Sequence, residues 1–141
     1  MGGDDADRLL LVGDNQINDT SLLTLNSSAV FDLNGKQETF APSTTAPVLT
    51  LGIGPTGSAD VLIGAGKLTL AGSNSVAANI QVKPAQGGGP AGARIDSATA
   101  GSLALSGALG TTVSVVDTPS SESLRIMTKI VDGTSAGSLI K

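Results

Sequence analysis

Ser135 lies in the run Gly-Thr-Ser-Ala-Gly at positions 133–137, which matches the nucleophile elbow of serine hydrolases. The elbow depends on a histidine that takes the serine proton and on a carboxylate that orients that histidine. The chain contains no histidine, so the usual triad is excluded. A Ser–Lys dyad would need Lys129 or Lys141 beside Ser135, and nothing in the sequence brings them together. We therefore interpret Ser135 as a turn residue.

A glycine-rich run at positions 52–57, Gly-Ile-Gly-Pro-Thr-Gly, matches the dinucleotide-binding fingerprint. The fingerprint requires a helix that begins within the run and an acidic residue about 20 positions later. Pro55 interrupts the run, a strand-like segment follows at Asp60–Ile63, and no carboxylate lies near position 77. The run therefore predicts a turn and not a cofactor site.

Carboxylates are the remaining candidates, since paired acids hydrolyse glycosides and clustered oxygen ligands bind calcium. Glu38 and Glu122 each stand alone, and most of the aspartates fall in turn-like segments. No EF-hand loop is present, and the run Gly-Gly-Gly-Pro at 87–90 lacks the aspartate of calcium-binding nonapeptide repeats. We predict no catalytic, cofactor-binding or metal-binding residues and no enzymatic activity.

The composition excludes further classes of function. The 141 residues include no Cys, Trp or Tyr, and the only aromatic residues are Phe31 and Phe40. Zinc fingers and thiolate catalysis need cysteine, while stacking platforms for bases or sugars need several aromatic faces. The net charge is −4 and the eight basic residues form no cluster, which disfavours binding to nucleic acid.

Neither a membrane span nor a leader is predicted. Positions 97–116 carry no charge, but three glycines and seven Ser or Thr residues interrupt them, so membrane insertion is not expected. The first residues, Met1–Asp5, have neither the basic nor the apolar region of a signal peptide.

Most of the chain consists of short runs of β-forming residues separated by Gly, Ser, Asn or Pro. The segment after Pro119 has helical spacing at Leu124, Met127 and Val131, but its alternation favours a strand. The predicted strands are Leu9–Val12, Leu22–Leu25, Ala29–Leu33, Val48–Leu51, Asp60–Ile63, Lys67–Leu70, Val76–Val82, Ala93–Asp96, Ser102–Leu105, Thr112–Val116, Leu124–Ile130 and Ser138–Ile140.

A Leu-Thr-Leu signature occurs three times, and a Leu-Ala-Leu variant follows at 103–105. Alternation in a strand places both leucines on one face and the threonine on the other. The signatures are 26, 19 and 35 residues apart, which indicates a degenerate repeat with insertions. The residues predicted to point inward are Leu23, Leu25, Leu49, Leu51, Leu68 and Leu70, and those predicted to point outward are Thr24, Thr50 and Thr69.

Short strands and frequent turns together predict an all-β fold, a parallel β-helix of stacked coils. Strands of four residues are too short to anchor a large sandwich sheet, whereas stacked coils join them into long parallel sheets. The alternative is an antiparallel β-sandwich. Its best support is Asn34-Gly35 between the runs Ala29–Leu33 and Lys36–Phe40, since Asn-Gly between strands is a strong hairpin signal.

We expect residues 1–141 to form a single β-solenoid domain or a segment of a longer repeat array. Two stretches rich in Gly, Pro or Thr, 41–47 and 84–92, are predicted to be loops that leave a coil and return to it. The second loop is predicted to be dispensable for folding, because loop-closure entropy changes slowly with loop length.

Several motifs resemble autotransporter-associated β-strand repeats. The run Gly-Ala-Gly-Lys-Leu-Thr-Leu-Ala-Gly-Ser-Asn at 64–74 resembles the core motif of that repeat. Residues 14–17, 23–25 and 31–35 resemble its other half, and 131–141 resembles the lead into a further repeat. The resemblance implies a right-handed parallel β-helix in a secreted or surface-displayed passenger region.

Together these features predict a structural, non-enzymatic role at the cell surface or outside the cell, as a stalk, spacer, adhesin passenger or surface fibre element. The alternative is a carbohydrate-binding or carbohydrate-active β-helix with surface polysaccharide as its partner. That function would need a groove with clustered acids, basic residues or aromatic side chains.

The expected partners are further repeats of the same polypeptide or copies associated end to end, with no cofactor and no nucleic acid. A solenoid end without a cap exposes unpaired backbone groups and an apolar cross-section, and no capping helix is evident. Charge gives the ends opposite character: the acidic residues are Asp4, Asp5 and Asp7, and the basic ones are Arg125, Lys129 and Lys141.

Overall fold

The computed structural model of the protein describes residues 7–55, 57–73, 75–85, 91–116 and 122–141. Within these ranges the chain forms fourteen short strands and no helix. The strands are β1 (Arg8–Leu10), β2 (Leu23–Asn26), β3 (Val30–Asp32), β4 (Gln37–Phe40), β5 (Leu49–Ile53), β6 (Asp60–Leu62), β7 (Lys67–Ala71), β8 (Ala78–Pro84), β9 (Ala93–Asp96), β10 (Ser102–Ser106), β11 (Thr111–Val115), β12 (Leu124–Met127), β13 (Lys129–Asp132) and β14 (Leu139–Ile140).

The strands form three sheets that the chain visits in a fixed order. Sheet I has the order β1-β3-β6-β9-β12, sheet II β4-β7-β10-β13, and sheet III β2-β5-β8-β11-β14. Every strand pair in the described ranges is parallel. From β2 to β11, each strand pairs with the strand three places later, so three strands complete one coil. The predicted parallel β-helix is confirmed, and the antiparallel sandwich is wrong.

The leucines of the signatures line the interior, as predicted. Leu49, Leu51, Leu68 and Leu70 are fully buried, Leu25 is buried, and Leu23 packs against the core from a half-buried position. The first two signatures stack in sheet III, and the third stacks on the Leu-Ala-Leu variant in sheet II. The spacing is irregular because the signatures occur in two sheets. The intervals of 26 and 35 residues each span one full coil within a sheet, whereas the interval of 19 residues leads from sheet III to sheet II.

The threonines of the signatures differ in exposure. Thr24 is exposed as expected, but Thr50 and Thr69 retain only 6% and 9% of their accessible surface. Thr50 lies between Thr24 and Gln81 in its column of paired residues. Rungs lie about 4.8 Å apart, so side chains above and below shield an outward residue in a central coil. Alternation correctly predicted which face of the strand the threonines occupy. It did not predict their exposure, because an outward side chain in a central coil can be covered by its neighbours.

Asn34-Gly35 forms the turn that its sequence predicts, but the turn does not make a hairpin. Both residues have positive φ, 52° and 74°, and the amide of Lys36 donates to the carbonyl of Leu33 at 2.8 Å. The next coil repeats the turn at Gly64, which has φ 65°. These turns lead from sheet I to sheet II, so the flanking strands join different sheets and do not pair with each other.

Two predicted boundaries are corrected by the structure. The run Leu124–Ile130 forms two strands, β12 and β13, with a corner at Thr128, whose hydroxyl donates to the carbonyl of Gly101 at 3.1 Å. The predicted loop at 84–92 starts one residue too early, because Pro84 ends β8 and pairs in register with Ile53.

Both predicted loops lie between strands. Residues 41–47 form an irregular connection from β4 to β5, as expected. Residues 86–90 lie outside the described residues, so the dispensability of that segment stays a prediction.

Replacing Leu68 by Asp tests the assignment of the core. The change removes about 1.5–3 kcal/mol of apolar burial and places a carboxylate in the interior, so we expect a loss of more than about 3 kcal/mol in the free energy of unfolding. Thr24→Asp is the matched control on the exposed face and should shift stability by less than about 0.5 kcal/mol. Equal losses in urea titrations of the two variants would show that the register is wrong.

Candidate functional site

Ser135 lies in the connection between β13 and β14, exposed to solvent. Its hydroxyl is 3.1 Å from the hydroxyl of Ser106 and accepts a hydrogen bond from the amide of Gly107 at 3.2 Å. Its own amide donates to the hydroxyl of Ser106 at 3.3 Å. These contacts join the connection to the preceding coil. They do not orient Ser135 for attack on a substrate.

The glycine-rich run at 52–57 also serves the coil. Gly52 and Ile53 belong to β5, and the amide of Gly54 donates to the carbonyl of Gly57 at 3.1 Å. The next element is β6, so no described residue of this run begins a helix. Phosphate binding by this fingerprint uses the amides of a helix N-terminus, and that geometry is not formed here.

Glu38 is a residue whose role the sequence analysis missed. Its side chain is fully buried in the inward column of sheet II with Leu68 and Leu103. One carboxylate oxygen, Oε2, accepts hydrogen bonds from the amides of Gln16 at 2.9 Å and Ile17 at 3.1 Å. The signal was available: Glu38 and Phe40 share one face of a strand by alternation, so an inward Phe40 requires an inward Glu38.

Asp14 and Glu38 together form what we name the carboxylate cap. The Asp14 side chain accepts a hydrogen bond from the amide of Gln37 at 2.8 Å, and the amide of Asn15 donates to the carbonyl of Gln37 at 2.8 Å. Segment 14–17 therefore lies beside β4 where a further strand of sheet II would lie. The expectation that the first coil has no cap is corrected for this sheet, because side-chain oxygens satisfy backbone groups that a strand would otherwise pair.

The opposite edge of the solenoid exposes apolar side chains. Ile130 and Leu139 sit in columns that are buried in earlier coils, yet they are 43% and 50% exposed. A groove of about 360 Å³ lies beside this edge, with Glu122 and Lys141 among the residues that line it. Its apolar lining comes from Val113, Val115, Leu124, Ile126 and Leu139.

Charged residues follow the outer face of sheet I. Asp60 is nearly buried, accepts from the Nε of Arg94 at 3.2 Å, and also accepts from the hydroxyl of Ser58 at 2.8 Å. The hydrogen bond to Asp60, followed by its attraction, raises the pKa of Arg94, so this guanidinium stays charged. Arg8 pairs with the nearly buried Asp32 one coil earlier. These ion pairs join neighbouring coils.

Both aromatic rings of the chain are inside the core. Phe31 and Phe40 have ring centroids 6.2 Å apart and planes at 67°, an edge-to-face contact. They retain 0% and 1% of their accessible surface, so neither ring offers a face for a sugar to stack on.

In the part of the chain that the structure describes, no three His, Cys, Asp or Glu side chains come together as metal ligands would. The same residues include no helix of the length and apolar character that crosses a bilayer. Comparisons with protein-family models, curated proteins and solved structures found no match. The resemblance to autotransporter-associated repeats therefore stays a prediction.

Replacing Glu38 by Gln tests the carboxylate cap. The amide retains one acceptor oxygen and gains a donor among backbone N–H groups, so we expect a loss of about 1–3 kcal/mol. Hydrogen exchange should accelerate first at the amides of Gln16 and Ile17. Glu122→Gln is the matched change at an exposed ion pair and should cost less than about 1 kcal/mol. Unchanged exchange at both amides in Glu38→Gln would contradict this role.

The ion pair on sheet I is tested by Arg94→Ala. The change leaves the nearly buried carboxylate of Asp60 without its charged partner, so we expect a loss of about 1–3 kcal/mol. Arg125, which pairs in register with Arg94, provides the control, because its partner Glu122 is exposed. Arg125→Ala should cost clearly less than Arg94→Ala in the same thermal melts, because solvent screens its exposed ion pair. Equal costs would show that burial of Asp60 does not strengthen its pair.

Proposed function

We propose that this chain is a structural, non-enzymatic β-solenoid segment that acts as a stiff spacer, stalk or surface fibre element. The observation that carries the proposal is the continuity of the three parallel sheets through successive coils. In sheet III, for example, Leu25, Leu51 and Val82 stack as one buried column. Each coil adds about 4.8 Å along the axis, so the length of the solenoid increases in proportion to the number of coils.

The positions with catalytic motifs support this role, because their contacts are structural. Ser135 joins its connection to the preceding coil, Gly52 and Ile53 belong to β5, and Glu38 binds backbone amides. The two phenylalanines belong to the core, which weakens the alternative of carbohydrate binding by aromatic stacking. We place the protein outside the cell or at the cell surface, on the resemblance of residues 64–74 to autotransporter-associated repeats.

Spin-label distances test the spacer function. The chain has no cysteine, so Thr24→Cys with Ser114→Cys gives two unique labelling sites. Both residues are exposed and lie in one outward column of sheet III, three rungs apart, which puts their Cα atoms about 14 Å apart. With the labelled chain diluted in an excess of unlabelled protein, we expect one narrow distance distribution that persists until global unfolding. The pair Thr24→Cys with Gln81→Cys, one rung shorter, calibrates the spacing.

A broad or multimodal distribution for the first pair would contradict a stiff spacer. The carbohydrate alternative is tested separately by screening the unmodified chain against an array of surface polysaccharides. We expect no retained glycan. Saturable binding to one polysaccharide class would favour the alternative.

A further inference from the structure

We propose that copies of this chain stack head to tail, with β12 of one copy pairing in parallel with β1 of the next. This inference rests on the proposed role as a fibre element and specifies its partner, a second copy. The two strands are the outermost members of sheet I, and neither is paired on its outer edge within the described residues. Such an edge presents a row of backbone donors and acceptors to another strand.

The columns of sheet I fix the register of this contact. One inward column runs from Leu9 through Phe31 to Ile126, and the neighbouring outward column runs from Leu10 through Asp32 to Met127. Extending the sheet by one rung places Leu9 of the second copy on Ile126 and Leu10 on Met127. Leu9, Leu10 and Met127 are exposed, at 48%, 43% and 37%, and Ile126 is half-buried. The contact therefore buries apolar surface at both ends.

Sheet II adds a complementary charge. Lys129 ends the column that begins at Gln37, and the carboxylate of Asp14 lies against Gln37 on the other side. One more rung therefore brings Asp14 of the second copy next to Lys129. At this contact the segment with the carboxylate cap occupies the position of a sheet II strand. Its negatively charged Asp14 faces the positively charged Lys129 of the other copy.

Charge also selects head-to-tail stacking over tail-to-tail. At the end of the solenoid that contains β1, the charged residues are the acidic Asp7, Asp14 and Asp19 and the basic Arg8, so acidic residues are in excess. At the opposite end, basic residues are in excess. Its charged residues are Glu122, Arg125, Lys129, Asp132 and Lys141. Stacking two basic faces would bring like charges together, while head-to-tail stacking joins opposite ones.

One like-charge approach occurs in this arrangement and is already neutralised. The column that contains Arg8 ends at Arg125, so the two guanidinium groups meet at the contact. Arg8 is paired with Asp32, and Arg125 with Glu122 at 2.7 Å. Each guanidinium is therefore neutralised by a carboxylate of its own copy when the two copies meet.

Disulfide trapping in the cysteine-free full chain tests this register. Paired Cα atoms on adjacent parallel strands lie about 4.8 Å apart, within the range that a disulfide spans. Oxidised Leu10→Cys/Met127→Cys should give a ladder of linked oligomers. A mixture of the two single variants should give linked heterodimers only, and each single variant alone should give no disulfide-linked species. Lys129→Glu in the double variant should reduce the linked fraction by about five-fold.

Efficient linking of Met127→Cys to itself would overturn the proposal in favour of tail-to-tail contact. The absence of linked species in the double variant, with a monomer in sedimentation at high concentration, would overturn it as well. In that second case, a narrow spin-label distance would leave the spacer function standing. The two failures are therefore distinguishable.

Discussion

Parallel pairing between successive coils is the interaction on which the rest of this structure depends. A strand of three to five residues, such as β3 or β5, makes too few contacts to be stable alone. Stacking gives each strand two neighbours, pairs its backbone groups, and aligns its inward side chains in columns. Leu51 is fully buried because Leu25 and Val82 lie on either side of it. The core is therefore a set of columns and has no local centre.

The same dependence makes the two ends of the stack different. At one end, Asp14 accepts a hydrogen bond from the amide of Gln37 in sheet II, and Glu38 accepts hydrogen bonds from the amides of Gln16 and Ile17, so side chains close part of the edge. At the other, Ile130 and Leu139 continue buried columns, and within the described residues no further rung covers them. This asymmetry gives the solenoid a direction. A directional stack of this kind is what a spacer needs, and it makes the two ends complementary, as our proposal of head-to-tail contact requires.

Local patterns predicted much of this fold from the sequence. Alternation in the signatures gave the inward face, and the turn at Asn34-Gly35 was recognisable from its residues. Which strands pair was harder, because the same turn serves a hairpin or a corner between sheets. The spacing of the signatures looked irregular since two sheets share them. The role of Glu38 in the cap was missed because it depends on hydrogen bonds from the amides of Gln16 and Ile17, which are distant in sequence.

Scalar couplings across hydrogen bonds, measured by NMR on the labelled protein, test the parallel coil most directly. The structure places the amide of Leu33 on the carbonyl of Leu62 and the amide of Ile63 on the carbonyl of Asp96, each at 2.8 Å. We expect a coupling for each of these two pairs, in which one residue donates to a residue of the next coil and receives no bond back from it. Reciprocal couplings between the runs 29–33 and 36–40, as a hairpin at Asn34-Gly35 would give, would contradict the parallel coil.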